Sequence, residues 1–143
     1  MNNFFKVLFF VGTNLFFSCN LFVLKMGDFK LLPTPQNFQI YGVSNLKTED
    51  ILFFYDPNKK NLPPGSGFLG NIKRVDVKEK AQLIFTIDPS IKIKDEGYIL
   101  KILNEKIIIK AKDKAGLIYG LASLEQLMED SEDQAVNLPL CEI

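Results

Sequence analysis

The sequence predicts an α+β domain, a mostly antiparallel sheet of about four to six strands with one or two helices packed on one face. Three observations carry that expectation. Short runs rich in β-branched and aromatic residues recur between turn signals. Two of these runs are separated only by Asn104-Glu105, the length of a tight hairpin turn. One stretch near the C-terminus is apolar at helical spacing.

Taken in order, Leu31-Leu32-Pro33-Thr34-Pro35-Gln36 opens the folded region, and its two prolines enforce an extended entry. Phe38 to Tyr41 is a short strand that ends at Gly42, and Ile51 to Tyr55 is a buried-type strand closed by Asp56-Pro57-Asn58. Asn58 to Gly70 is loop-like, and Asn71 to Lys80 shows no good helical period. Ala81 to Ile87 is a strand stopped by Asp88-Pro89, and Tyr98–Leu103 pairs with Lys106–Ala111 as the hairpin. From Lys114 to Glu129 the apolar set Leu117, Leu121, Leu124, Leu127 and Met128 makes one helical face, which Ile118 and Ala122 widen. Asp113 is placed to cap that helix, since its carboxylate accepts from the orphan N–H groups of the first turn. Glu129, Asp130, Glu132 and Asp133 oppose the macrodipole, so the helix is expected to fray there. Leu138-Pro139-Leu140 is expected to lead out of the domain.

Composition narrows the chemistry. With 143 residues, 47% hydrophobic and 24% charged, the chain has the make-up and length of one globular domain. Seventeen basic and seventeen acidic residues cancel, and Arg74 is the only arginine, so no nucleic-acid partner is expected. Histidine is absent, which removes the commonest general base, the commonest zinc ligand and every Ser-His or Cys-His pair. Two cysteines, Cys19 and Cys141, cannot hold a metal cluster by themselves. No cofactor or metal is expected, and no catalytic residue is assigned.

The first residues read as an address. A short polar start with Lys6 precedes the apolar run from Val7 to Phe17, and Ser18-Cys19 follows. This fits a signal peptide over residues 1–18. A cysteine directly after a small residue resembles a lipoprotein box, which makes Cys19 the candidate lipid attachment site and residues 19–30 a tether. A plain secretory signal and a membrane anchor from Phe4 to Leu24 are the alternatives. All three place the body of the protein outside the cytoplasm, in the periplasm or at a bacterial outer membrane, with membrane contact only through the leader or the lipid.

Two motifs invite a functional reading and fail it on context. Gly65-Ser66-Gly67-Phe68-Leu69-Gly70 matches G-x-G-x-x-G, but a dinucleotide site needs a strand directly before and a helix starting at the motif. Here Pro63-Pro64 precede it. Asp95-Glu96 is an adjacent carboxylate pair, but Lys92, Lys94 and Gly97 around it describe a solvated turn before a strand. Ser66 and Ser123 have no base partner, and Cys141 reads as a small apolar filler.

The stretches Glu96-Gly97-Tyr98-Ile99-Leu100, Ile107 to Ala111, and Ala115-Gly116-Leu117-Ile118-Tyr119-Gly120-Leu121 through Gln126-Leu127, with Leu32-Pro33-x-Pro35-Gln36 ahead of them, carry a resemblance. In this order they resemble the N-terminal domain of glycoside hydrolase family 20, the β-N-acetylhexosaminidases and chitobiases. Coverage runs from about Leu31 to the C-terminus. In that family catalysis belongs to a (β/α)8 barrel that follows this domain, where an Asp-Glu pair works with the substrate's own 2-acetamido group. Asp95-Glu96 does not match that pair, which follows a His and two glycines.

The resemblance therefore implies a domain at residues 31–137 and, at 138–143, the start of a linker to a barrel absent from this chain. Gly116 and Gly120, one turn apart, are read as a packing device that lets the helix approach the sheet. Two functions are weighed. One is the non-catalytic N-terminal module of an exported hexosaminidase acting on terminal N-acetylhexosamine residues, partnered by its barrel. The other is a free-standing surface lipoprotein that binds glycans or a protein partner. The second requires an exposed ring drawn from Tyr41, Phe53, Phe54, Tyr55, Phe68 and Tyr98.

Overall fold

The structure is a computed structural model that describes residues 29–32, 34–54 and 67–143. The leader, Cys19, Tyr55 and the Gly65-Ser66 half of the glycine motif lie outside the described residues.

Among the described residues seven strands form one sheet: β1 Gln39–Val43, β2 Leu52–Phe54, β3 Lys73–Val75, β4 Leu83–Ile87, β5 Tyr98–Ile102, β6 Ile107–Ala111 and β7 Pro139–Glu142. One helix, α1 Lys114–Asp133, follows β6. The spatial order is β1-β7-β5-β6-β4-β2-β3. Pairing is antiparallel from β1 through β7 and β5 to β6. It is parallel from β6 through β4 and β2 to β3. The α+β architecture matches the expectation, with seven strands in place of four to six.

The two additional strands have sequences that hide them. Lys73-Arg74-Val75 is an edge strand whose first two residues are exposed, and charge on an edge is how sheets avoid pairing with strangers. Pro139-Leu140-Cys141-Glu142 begins with proline, which a strand accepts at its first position. Residues 138–143, expected to be the start of a linker, instead place β7 between β1 and β5, with Leu138, Pro139 and Cys141 buried. Packing also begins earlier than residue 31, since Phe29 is buried.

Alternation sets the two faces of the sheet. Leu83 and Phe85 on β4, Leu100 and Ile102 on β5, and Ile107, Ile109 and Ala111 on β6 are buried, and their registers align them as one surface. Leu117, Leu121, Leu124 and Leu127 of α1 are buried in the same cluster. Each such side chain contributes about 2 kcal/mol by leaving water. Phe53 on β2 extends the surface by stacking on Phe85, with ring centroids 6.5 Å apart.

The helix does not fray at Glu129. It continues to Asp133 because its last turn is held from both sides. Ser131 is buried and its hydroxyl donates to the Leu127 carbonyl at 2.8 Å. The Asp130 carboxylate accepts the Lys30 N–H at 3.2 Å, and Gln126 exchanges two hydrogen bonds with the Leu32 backbone, at 2.8 and 2.9 Å. Residues 29–32 thus form a strap over α1. Ala135, at φ 51°, ends the helix, and the Val136 N–H returns to the Ser131 carbonyl at 3.0 Å.

The helix and sheet meet most closely at two glycines. A β-carbon on Gly116 stands 2.2 Å from the Gly97 carbonyl oxygen, a backbone atom that cannot turn aside. A β-carbon on Gly120 stands 2.8 Å from Ile109 Cγ2 and 3.2 Å from the Tyr98 ring, both side-chain atoms with some freedom. The substitutions therefore separate. Gly116→Ala is expected to lose about 2 kcal/mol or more, because overpacking against fixed atoms costs about 1–3 kcal/mol. Gly120→Ala is expected to stay within about 1 kcal/mol of the parent, since its gain in helix propensity offsets part of the clash. Urea unfolding midpoints check this; equal losses at both sites would refute the close-approach account.

Candidate functional site

Three of the resemblance-bearing stretches meet, at Glu96-Gly97, Ala111 and Ala115-Gly116, in one corner formed by the loop before β5, the end of β6 and the first turn of α1. β6 ends at Ala111, so Lys112 and Asp113 carry the chain directly from sheet to helix. Asp113 has extended backbone, and its Oδ1 accepts the Gly116 N–H at 2.9 Å, the N-cap bond expected from sequence. Its Oδ2 accepts the Glu96 N–H at 2.8 Å. One carboxylate therefore caps the helix and pins the turn that leads into β5.

That second bond accounts for an unusual backbone. Glu96 has φ 61°, a left-handed conformation that costs a non-glycine residue about 1–2 kcal/mol. The Asp113 bond and the Gly97 contacts over-determine it. The Gly97 carbonyl accepts the Lys112 N–H at 3.1 Å, and the Gly97 N–H donates to the Lys94 carbonyl at 3.1 Å. A β-carbon on Gly97 would meet Lys94 O at 2.7 Å.

Lys112 completes the clasp. Its ammonium donates to the Ile93 carbonyl at 3.1 Å and pairs with Asp95 Oδ1 at 2.8 Å. Deeper along the helix, the Tyr98 and Ser123 hydroxyls lie 2.7 Å apart and satisfy each other beneath α1.

The arrangement leaves little for acid–base chemistry. Asp95 and Glu96 share the turn expected from sequence; Asp95 is exposed and paired with Lys112, while Glu96 contributes its backbone. Asp113 has both oxygens engaged. These two N–H donors, Gly116 first and Glu96 second, hold its carboxyl below the ordinary value of 3.8. Asp88 is lowered likewise by the hydroxyl and N–H of Ser90. Cys141 sits in the core between β1 and β5, and burial pushes its thiol up to about 12, so it is a neutral filler at physiological pH.

Among the described residues the aromatic set does not gather into a ring. Phe53 is buried, Tyr98 faces α1, Phe68 packs on the core, and Tyr41 is exposed as the extra residue of a bulge in β1. Gly67 and Gly70 lie in a 3-10 turn, Gly67–Asn71, that leads into strand β3 rather than a helix. Among the described residues no group of three or more His, Cys, Asp and Glu side chains can hold a metal ion.

Sequence reasoning identified Asp113 as a cap and the glycines as packing residues. It missed that Asp113 also grips Glu96. The signal available was the pairing of an N-cap aspartate with an Asp-Glu-Gly turn one hairpin upstream.

Comparison with known proteins follows the same residues. Residues 57–143, more than half of the chain, match the family described as glycosyl hydrolase family 20, domain 2. No curated protein matches. Among solved structures, a β-N-acetylhexosaminidase from Bacteroides fragilis aligns over 79% of this chain with a TM-score of 0.59 and 22% identity. A GH20 exo-β-N-acetylglucosaminidase from Vibrio harveyi in complex with N-acetylglucosamine aligns over 83%, with a TM-score of 0.55 and 19% identity. A Flavobacterium johnsoniae chitobiase aligns over 79%, with a TM-score of 0.53 and 22% identity. The chain spans 24%, 20% and 20% of these three proteins respectively, so the likeness concerns one part of much longer chains.

The capping carboxylate gives a pH test. Its folded pKa is depressed, so its stabilisation is present above the unfolded value and is lost as pH falls through the folded one. Asp113 is expected to titrate below 3.8 by carboxyl-carbon NMR, and Asp113→Asn to flatten the loss of stability in that acid window. A midpoint at or above 3.8 would contradict the two-donor grip.

Proposed function

Since the chain belongs to the glycosyl hydrolase family 20, domain 2, family, we propose that it is the non-catalytic N-terminal domain of an exported β-N-acetylhexosaminidase. It buttresses a catalytic (β/α)8 barrel that lies outside this chain and contributes no chemistry to the hydrolysis of terminal N-acetylhexosamine residues.

One observation supports this reading above the others. At the corner between the stretches that carry the family likeness, polar groups are engaged in structure: Asp113 by two backbone N–H groups, Lys112 by a carbonyl and Asp95, and Tyr98 by Ser123, while Gly116 packs on Gly97. A catalytic site keeps at least one proton donor or acceptor free toward substrate. Such a domain recognises its own enzyme through shape, and the sugar chemistry belongs to the barrel.

The purified chain is expected to release no nitrophenol from 4-nitrophenyl N-acetyl-β-D-glucosaminide. Measurable turnover would remove the non-catalytic reading. Sequencing the DNA beyond the Ile143 codon is expected to find a barrel-coding frame; its absence would leave the domain without the partner proposed.

Export rests on the leader. A positive start, an apolar run and Ser18-Cys19 match what a secretion machinery reads, and Cys19 is the proposed lipid attachment site. Cells grown with labelled palmitate are expected to label the protein, and Cys19→Ala to lose the label and release the protein from the membrane fraction. Equal labelling of both forms would refute the assignment.

A further inference from the structure

A cleft of about 580 Å³ opens beside the end of β7, walled by Pro35–Asn37 on one side and Gly97–Ile99 on the other, with Glu142 and Ile143 at its base. Its shape follows from strand register. On the β1 side Gln39 faces Glu142 and Ile40 faces Cys141; β1 begins at Gln39, so beside the next two positions along the β7 line the wall is the non-strand stretch Pro35–Asn37. On the β5 side Lys101 faces Glu142 and Ile102 faces Cys141. Leu100 and Ile143 exchange both backbone bonds, at 3.1 and 2.9 Å. The same two forward positions therefore face Ile99 and Tyr98.

The β5 wall thus runs on past the point where β7 stops, to Ile99 and Tyr98, with the Pro35–Asn37 stretch across the cleft from it. Backbone groups alternate along an antiparallel strand, and Leu100 directs its N–H and C=O toward β7. Tyr98, two residues away, directs its own toward the same side, into the cleft.

We propose that this cleft is a strand slot, occupied by an extended stretch that continues β7 beyond Ile143. The proposal rests on the reading that further chain follows this domain, and it names how that chain is attached. The first residue beyond Ile143 sits opposite Ile99 and points to the open face of the sheet. The second sits opposite Tyr98, exchanges both backbone bonds with it, and points to the α1 side, where Cys141 is buried and Ile143 is packed on the core. The occupant is accordingly polar or β-branched at the first position and apolar at the second. A following domain held this way leaves the sheet on a paired strand rather than on a flexible linker, so its orientation is set by β5 and by the Gln36–Asn37 segment.

The test appends a Thr-Val-Thr-Val tail to the full chain and compares it with a Thr-Pro-Thr-Pro tail, whose prolines lack the N–H that Tyr98 must accept. Amide hydrogen exchange is followed at Tyr98, with Ile109 in the sheet interior as the control for folding. The Thr-Val tail is expected to slow exchange at Tyr98 by about tenfold or more relative to the proline tail, with Ile109 unchanged in both. Equal exchange at Tyr98 in the two tailed chains, with Ile109 protected, would overturn the slot. Loss of the barrel reading through the downstream DNA would leave this result standing, and failure of the slot would leave that reading standing, so the two are separable.

Discussion

The structure depends on the contact between the first turn of α1 and the turn before β5. There Gly116 lies against the Gly97 carbonyl, closer than any side chain permits, and Asp113 bonds to both sides of the seam. Without that approach α1 would ride higher on the sheet, and Leu117, Leu121 and Leu124 would leave gaps above Leu100 and Ile109. Dispersion falls off steeply with separation, so a gap of half an ångström forfeits a substantial part of each contact. The glycines and the cap are thus preconditions for the core, although they bury little apolar surface themselves.

A second dependence runs through β7. Among the described residues β1 joins the sheet only through β7, and β7 joins the rest only through β5. The last strand of the chain holds the first. Cys141 marks the junction: it faces Ile40 on one side and Ile102 on the other, buried deeply enough to raise its thiol to about 12. The N-terminal strap adds a tie between distant parts of the chain, since residues 30 and 32 bond to Asp130 and Gln126 at the far end of α1. Among the described residues, the strap at 29–32 and the strand at 139–142 are therefore both structural, each tying distant parts of the chain.

Legibility from sequence follows from which signals are local. The β5–β6 hairpin, the strand at Leu83–Ile87, the Asp113 cap and the start of α1 each rest on periodicity or side-chain chemistry within a few residues, and the structure reproduces them. β3 and β7 are short, one charged and one opened by proline, and only their neighbours across the sheet make them strands. The end of α1 was misjudged for the same reason. Four acids against the macrodipole argue for fraying, but the partners that oppose it, Lys30 and the buried setting of Ser131, come from elsewhere in the fold. At the candidate site, the glycine spacing was visible one turn apart, whereas the grip of Asp113 on Glu96 spans seventeen residues and needs the hairpin folded first.

The stretches that carry the family resemblance include the glycines of the helix–sheet seam, and this bears on what the domain does. A motif retained for chemistry keeps reactive groups open to solvent or substrate. At this seam Asp113, Lys112 and Tyr98 close on the protein itself, and its strained residue, Glu96, is held through its backbone N–H by the Asp113 carboxylate. A seam of that kind fixes the position of the turn at residues 93–97, which forms one wall of the cleft beside β7. The wall can guide a continuing strand only if it does not move. Rigidity at the Asp113 clasp and direction at the end of β7 are on this view two parts of one arrangement, in which packing inside the domain orients the chain that leaves it.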